Sequence, residues 1–167
     1  MGTVKSLYSR NEYLYWYIEK GDHAKILQHI EKYPETVSQP MTKDCRTLPL
    51  ARAAWRGDQR TMEILMDHKA DVNQVSEKGE TALMHACKRN RLEILKILVN
   101  AGAKLDVVSD LGLKAIDYSI LAGFYENATY LYSRSDKELK SAEEYRAINL
   151  KFRYRYVNYD IFLSGLR

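Results

Sequence analysis

The chain repeats itself with a period of 33 residues, and this period constrains its fold more than any other feature. Ala70-Asp71-Val72-Asn73 returns as Ala103-Lys104-Leu105-Asp106, and Gly79 returns as Gly112. A period of this length is typical of proteins that stack small units, each of which buries its apolar side against its neighbours. Because such a stack presents an extended surface, we expect recognition rather than catalysis.

Each unit reads as two short helices joined by a tight turn. The turn needs a residue that tolerates a positive φ, and Gly and Asn are the usual choices. Before the turn the helix carries small residues such as Ala53 and Ala54, and after it the apolar residues follow helical spacing. The predicted turns are Gly21-Asp22, Gly57-Asp58, Asn90-Arg91 and Gly123-Phe124.

The segment Gly79–Ala103, together with Leu48-Pro49-Leu50, Ala53-Ala54 and Ala70-Asp71-Val72-Asn73, resembles the ankyrin-repeat family. The resemblance implies an all-α solenoid of about four helix-turn-helix units with short hairpin loops. A short N-terminal segment, 1–10, precedes the repeats, and a C-terminal helix with an extended aromatic and basic tail, 133–167, follows them. The predicted units are 11–44, 45–77, 78–110 and 111–132.

The outer units are degenerate, as expected of the ends of a stack. The family's Thr-Pro-Leu-His tetrapeptide is nowhere intact, and its histidine usually forms a hydrogen bond between adjacent units. We therefore expect an array of low stability that depends on its flanks or on a partner. The three corresponding segments are Leu48-Pro49-Leu50-Ala51, Thr81-Ala82-Leu83-Met84 and Lys114-Ala115-Ile116-Asp117.

Composition narrows the function further. The net charge of +4 is modest, and two cysteines, Cys45 and Cys87, cannot build a disulfide framework. A reducing, intracellular and cytoplasmic setting is expected, either at a membrane surface or within a large assembly. The four histidines show no zinc-ligand spacing with the cysteines, and no nucleophile elbow, phosphate loop or dinucleotide fingerprint occurs. We therefore predict a protein that is not an enzyme and needs no cofactor or metal.

The resemblance also implies where a partner binds, because this family uses hairpin tips and the exposed side of the inner helices. Arg and Tyr are enriched at interface hot spots, and guanidinium groups suit an acidic or phosphorylated segment. In the alternative interpretation the arginines are solvated or pair with acidic neighbours, and Trp55 packs between units. The predicted inner-helix contacts are Arg52, Trp55, Arg56, His85, Arg89 and Tyr118.

The N-terminus matches the pattern for N-myristoylation, with Gly2 exposed once Met1 is removed and Ser6 at the required place. The pattern is short, and an ordinary initiator followed by a common glycine explains it as well. A single acyl chain gives only weak, reversible membrane attachment. Gly2 is thus a predicted lipidation site that a second signal would have to support.

The C-terminal tail alternates basic and aromatic residues, which indicates an extended strand with two unlike sides. Such a strand caps the last repeat, pairs with another protein's sheet edge, or binds nucleic acid by phosphate contacts and base stacking. The residues that make these contacts are Lys151, Phe152, Arg153, Tyr154, Arg155 and Tyr156.

The leading hypothesis is a non-catalytic protein–protein interaction module that acts as an adaptor or as a subunit of a larger assembly. Its partners are one or more proteins, and we do not expect a homo-oligomer. The alternative is a nucleic-acid-binding accessory protein that uses the basic and aromatic tail.

Overall fold

The computed structural model describes residues 9–41 and 46–135. This part of the chain contains eight α-helices in four consecutive pairs, one short 3₁₀ helix and no β-strand, which confirms the all-α repeat solenoid. The predicted lipidation site Gly2, Cys45 and the tail residues 151–156 lie outside the described residues. The helices are α1 (Arg10–Lys20), α2 (His23–Lys32), α3 (Pro49–Arg56), α4 (Gln59–Asp67), α5 (Ala82–Lys88), α6 (Leu92–Asn100), α7 (Ala115–Leu121) and α8 (Tyr125–Arg134), with the 3₁₀ helix at Pro34–Ser38.

The four predicted turns adopt the left-handed backbone conformation that their sequence requires. Gly57 has φ of 78° and Asn90 has φ of 53°, and Gly21 and Gly123 are also left-handed. A residue in this conformation ends the first helix by directing its own N–H to the last carbonyl groups. At the second turn, Asp58 then caps α4 by accepting a hydrogen bond from the Thr61 N–H at 3.0 Å. The same few residues therefore end one helix and begin the next.

The first helices of the four units, α1, α3, α5 and α7, form one layer, and the second helices form the other. The inner layer packs closely because its contact residues are small, such as the fully buried Ala53, Ala54 and Ala86. The outer helices fill the remaining space with larger residues, and Leu65 and Leu98 have no exposed surface. A continuous core results, from Leu14 in α1 to Leu131 in α8.

The loops between units form a row of short hairpins. In the second loop the Ser76 N–H donates to the Glu80 carbonyl at 2.9 Å, and 33 residues later the Ser109 N–H donates to the Leu113 carbonyl at 2.9 Å. Gly79 has φ of 67°, and a Cβ placed there would lie 3.1 Å from the backbone nitrogen of Asp110. Glycine therefore allows neighbouring hairpins to approach closely.

The first unit is longer than the others, and the 3₁₀ helix Pro34–Ser38 occupies its extra residues. The last helix ends at Arg134, two residues beyond the predicted end of the repeats. Among the described helices, none is long and apolar enough to cross a membrane.

Candidate protein-binding face

The inner-helix face is the surface of α1, α3, α5 and α7 that carries the predicted contact residues. Between the first and second units, the Arg52 Nε donates to one carboxylate oxygen of Glu19 at 2.5 Å, and the Arg56 Nη1 donates to the other at 3.4 Å. The hydrogen bond from Arg52 holds the pKa of Glu19 below its usual value, although partial burial opposes the shift. The first unit therefore neutralises part of the positive charge of the second.

Between the second and third units, the contact is made by the aromatic side chain of Trp55. The rings of Trp55 and His85 meet edge to face with centroids 5.9 Å apart, and the Arg89 guanidinium lies 4.6 Å from the Trp55 ring centroid. Trp55 is half-buried, and Arg89 is exposed. Trp55 thus packs between units, as the alternative interpretation predicted, and also supports a cation at the surface.

Between the third and fourth units lies a buried polar network around Glu80, which is only 8% exposed. The Lys88 Nζ donates to the Glu80 Oε1 at 2.6 Å, and the Tyr118 hydroxyl donates to the same oxygen at 3.2 Å. The His85 Nε2 lies 3.3 Å from the other carboxylate oxygen. The Tyr118 hydroxyl also lies 3.0 Å from the Ser109 Oγ, so the network reaches the third hairpin.

The charges in this network follow from burial and pairing. Burial alone raises the pKa of Glu80, but the hydrogen bonds and charges of its neighbours, of which Lys88 contributes most, together bring the pKa below its usual value. Burial lowers the pKa of His85 to about 4, and the nearby Lys88 adds to the effect. His85 is therefore neutral at pH 7 and supplies no positive charge to the face.

Two of the predicted contact residues are less accessible than the sequence suggested. Tyr118 was expected on the exposed side of the inner helices, but it is 7% exposed, so that expectation of exposure was wrong. Its hydroxyl is held by Glu80 and its ring by the Lys88 ammonium group, 4.4 Å from the ring centroid. His85 is mostly buried against Trp55 and Glu80. The roles of these residues in binding stay predictions.

A family model described as "Ankyrin repeats (3 copies)" matches residues 50–141, which is more than half of the chain. The chain belongs to the ankyrin-repeat family. Ankyrin repeats mediate binding to other proteins, and the chain is therefore a protein–protein interaction module. The family is typically non-enzymatic.

Two human proteins share sequence similarity with this ankyrin-repeat chain. Ankyrin repeat domain-containing protein 37 is 30% identical over 105 residues, which cover 63% of this chain and 66% of that protein. Transient receptor potential cation channel subfamily A member 1 is 40% identical over 57 residues, which cover 34% of this chain and 5% of the channel. The chain thus spans just under two thirds of the first relative and a small part of the second.

The described part of the ankyrin stack holds no group of three or more His, Cys, Asp or Glu side chains that could bind a metal ion. Cys87 occupies a small-residue position of α5, and burial raises the pKa of its thiol to about 12. A thiol in this state is a poor nucleophile at neutral pH. Cys87 is therefore a packing residue.

Sequence reasoning missed three residues that organise this face, namely Glu19, Glu80 and Lys88. For Glu19 a signal was present, because the 33-residue period places Glu19 in register with Arg52, His85 and Tyr118. Residues in one register are neighbours in an ankyrin stack, so an acidic residue one unit before Arg52 indicates an ion pair. No comparable signal marked Glu80, which lies in a loop.

Proposed function

We propose that the chain is a non-catalytic adaptor or a fixed subunit of a larger assembly, and that it contacts proteins through the inner-helix face and the neighbouring hairpin tips. One observation carries the proposal: the side chains of the face are held by contacts between units, as Arg52 is by Glu19 and Arg89 by Trp55. Side chains that are ordered before binding lose less conformational entropy when a partner arrives. The hairpin tips add exposed apolar surface at Val75 and Val108, each 49% exposed.

The charge of the face favours a partner with an acidic segment, but the cations are not equally available. Arg52 and Arg56 share Glu19, whereas Arg89 is exposed and rests on Trp55. A guanidinium group without a carboxylate partner is the stronger attractant for an incoming acidic side chain. We therefore assign the largest contribution to Arg89, with Trp55 beside it as the apolar contact.

Co-purification of the tagged full-length chain at endogenous level, followed by size analysis, tests this function. Val75→Glu with Val108→Glu should reduce partner recovery because it places charge on the exposed tips. Gln28→Glu with Thr129→Glu adds the same charge to exposed positions of α2 and α8 and should not reduce recovery. Recovery of the wild type only as a free monomer would contradict the proposal. A deletion of residues 145–167 in the same assay separates contacts made by the repeats from contacts made by the tail.

We also propose a cytoplasmic location with transient membrane contact through acylated Gly2, on the strength of the N-terminal pattern. Cells fed an alkyne analogue of myristate should label the wild type, whereas Gly2→Ala should lose the label. Equal labelling of both proteins would exclude acylation at Gly2.

A nucleic-acid accessory role is the alternative that the residues 151–156 favour. It predicts binding to single-stranded RNA or DNA that weakens steeply as salt increases, because each phosphate contact releases counterions. Gel-shift titration at two salt concentrations tests it. Absent or salt-insensitive binding would remove this alternative.

A further inference from the structure

The turn edge is the side of the stack formed by the turns that join the two helices of each unit. In the third unit this turn carries two arginines that both reach back over the end of α3. The Arg89 guanidinium lies 4.6 Å from the Trp55 ring centroid. A Cβ placed on Gly57 would lie 2.8 Å from the Arg91 Cδ and Nε, so the Arg91 side chain crosses the second turn. Both arginines are exposed.

Neither arginine has an acidic partner within ion-pair distance in the described part of the chain. Three acidic residues of the same two units, Asp58, Glu63 and Glu93, are engaged by other side chains. Asp58 lies 3.1 Å from the His23 Nε2, and Glu93 lies 2.8 Å from the Lys96 Nζ. Glu63 accepts hydrogen bonds from Gln59 and Arg60. The two guanidinium groups therefore leave uncompensated positive charge at the surface.

The turn of the fourth unit is apolar at the same place. The 33-residue period aligns Phe124 with Arg91 and Tyr125 with Leu92. Tyr125, the first residue of α8, is 55% exposed, and Leu121, the last residue of α7, is 36% exposed. A basic site and an exposed apolar site thus occupy neighbouring turns along one edge.

We propose that the turn edge binds an acidic peptide segment of a partner protein. Carboxylates of the segment contact Arg89 and Arg91, and an apolar side chain of the same segment lies against Leu121 and Tyr125. Charge complementarity carries the choice of partner, because the fork of a guanidinium group matches a carboxylate in two hydrogen bonds. The apolar contact beside it follows the usual composition of interfaces, in which Tyr and Arg are enriched.

This inference rests on the proposed interaction function but adds a second surface. Arg91, Leu121 and Tyr125 lie outside the set that the sequence assigned to the inner-helix face. Arg89 and Trp55 belong to both surfaces, because they stand where the inner-helix face meets the turn edge. A segment bound along the turn edge leaves the hairpin tips free for another contact.

The test is a fluorescence anisotropy titration in which the full-length chain is added to a labelled ten-residue peptide. In this peptide two glutamates alternate with two leucines. The same peptide with glutamine in place of glutamate should bind at least about tenfold more weakly, since about 1.4 kcal/mol corresponds to a factor of ten. Arg89→Gln with Arg91→Gln should weaken binding of the glutamate peptide by about tenfold. Tyr125→Ala should weaken binding of both peptides, because it removes the apolar contact.

A matched control removes the same charge elsewhere. Lys69→Gln with Lys104→Gln takes two positive charges from exposed positions outside the turn edge and the hairpin tips and should leave binding unchanged within about twofold. Arg89→Lys with Arg91→Lys keeps the charge but loses the planar fork and should give an intermediate affinity. The urea midpoint of each variant shows that it is folded.

Several results would overturn the turn-edge site. These are equal weakening by both double glutamine variants, equal binding of the two peptides, no binding at all, and binding only of a peptide with phosphoserine in place of glutamate. The co-purification assay separates this failure from failure of the proposed function. If the wild type and Arg89→Gln with Arg91→Gln recover the same partners, the turn edge is wrong and the interaction function stands. If the wild type recovers none, the proposed function itself is contradicted.

Discussion

Replacing Glu80 by glutamine removes the negative charge at the centre of the buried network between the third and fourth units. Glu80 is 8% exposed, and the Lys88 Nζ donates to it at 2.6 Å. The glutamine amide keeps the shape and still accepts the hydrogen bond from Tyr118. The substitution therefore isolates the charge of the pair from its packing.

The expected loss in the free energy of unfolding is about 2 kcal/mol, because a hydrogen bond between charged groups contributes about 1.5–3 kcal/mol. Glu80→Ala should lose about 1 kcal/mol more, since the hydrogen bond from Tyr118 then also disappears. The free energy of unfolding falls by about 2 kcal/mol for each molar increase in urea, so Glu80→Gln should lower the urea midpoint by about 1 M.

The assay is equilibrium urea unfolding followed by far-ultraviolet circular dichroism at pH 7. Glu93→Gln is a matched control, because it breaks a lysine–glutamate pair of similar length, 2.8 Å, on the surface of the same unit. The Glu93 side chain is 75% exposed, so its midpoint should hardly move. Equal midpoints for the two variants would refute the argument that burial makes the Glu80 pair important.

The pH dependence of stability tests the direction of the Glu80 pKa shift independently. The pKa of Glu80 is lowered in the folded state, so its stabilising contribution is complete above the ordinary carboxyl pKa of 4.5 and is lost as the pH falls through the lower folded value. The difference in stability between the wild type and Glu80→Gln should therefore be full at pH 7 and shrink below pH 4.5. A difference that grows in acid would contradict the assigned direction of the shift.

Three further predictions concern single residues. The pKa of His85 falls from 6.5 to about 4 on folding, so this group should lower the free energy of unfolding of the wild type by about 2 kcal/mol between pH 7.5 and pH 5. His85→Asn should therefore show a shallower pH dependence of its stability in urea unfolding. Equal pH dependence in both proteins would contradict the burial of a neutral imidazole. Gly79→Ala should lower stability more than Gly102→Ala, because both glycines have positive φ but only Gly79 lies close to the next hairpin. Equal midpoints of the two variants in thermal unfolding would contradict this close contact between the hairpins. In the Cys45→Ser variant, Cys87 should react with Ellman's reagent only when the chain unfolds, because burial raises its pKa to about 12; fast reaction in native buffer would disprove it.

The sequence by itself determined the repeat architecture. Gly57 and Asn90 mark turns because their backbones tolerate a positive φ, and that property belongs to the residue wherever it stands. The alternation of small and large apolar positions likewise shows which helix of each unit lies in the inner layer. These signals are local or strictly periodic, so they need no knowledge of neighbouring side chains.

The tertiary structure decided which side chains of the face remain available. Arg52 and Arg89 look alike in the sequence, yet the first meets Glu19 and the second meets Trp55. Tyr118 is buried, and its hydroxyl keeps a hydrogen-bond partner there because a carboxylate from a loop of the preceding unit accepts its hydrogen bond. Whether a charge or a ring is exposed depends on the rotamers of residues about 33 positions away in the chain, and only packing brings those residues together.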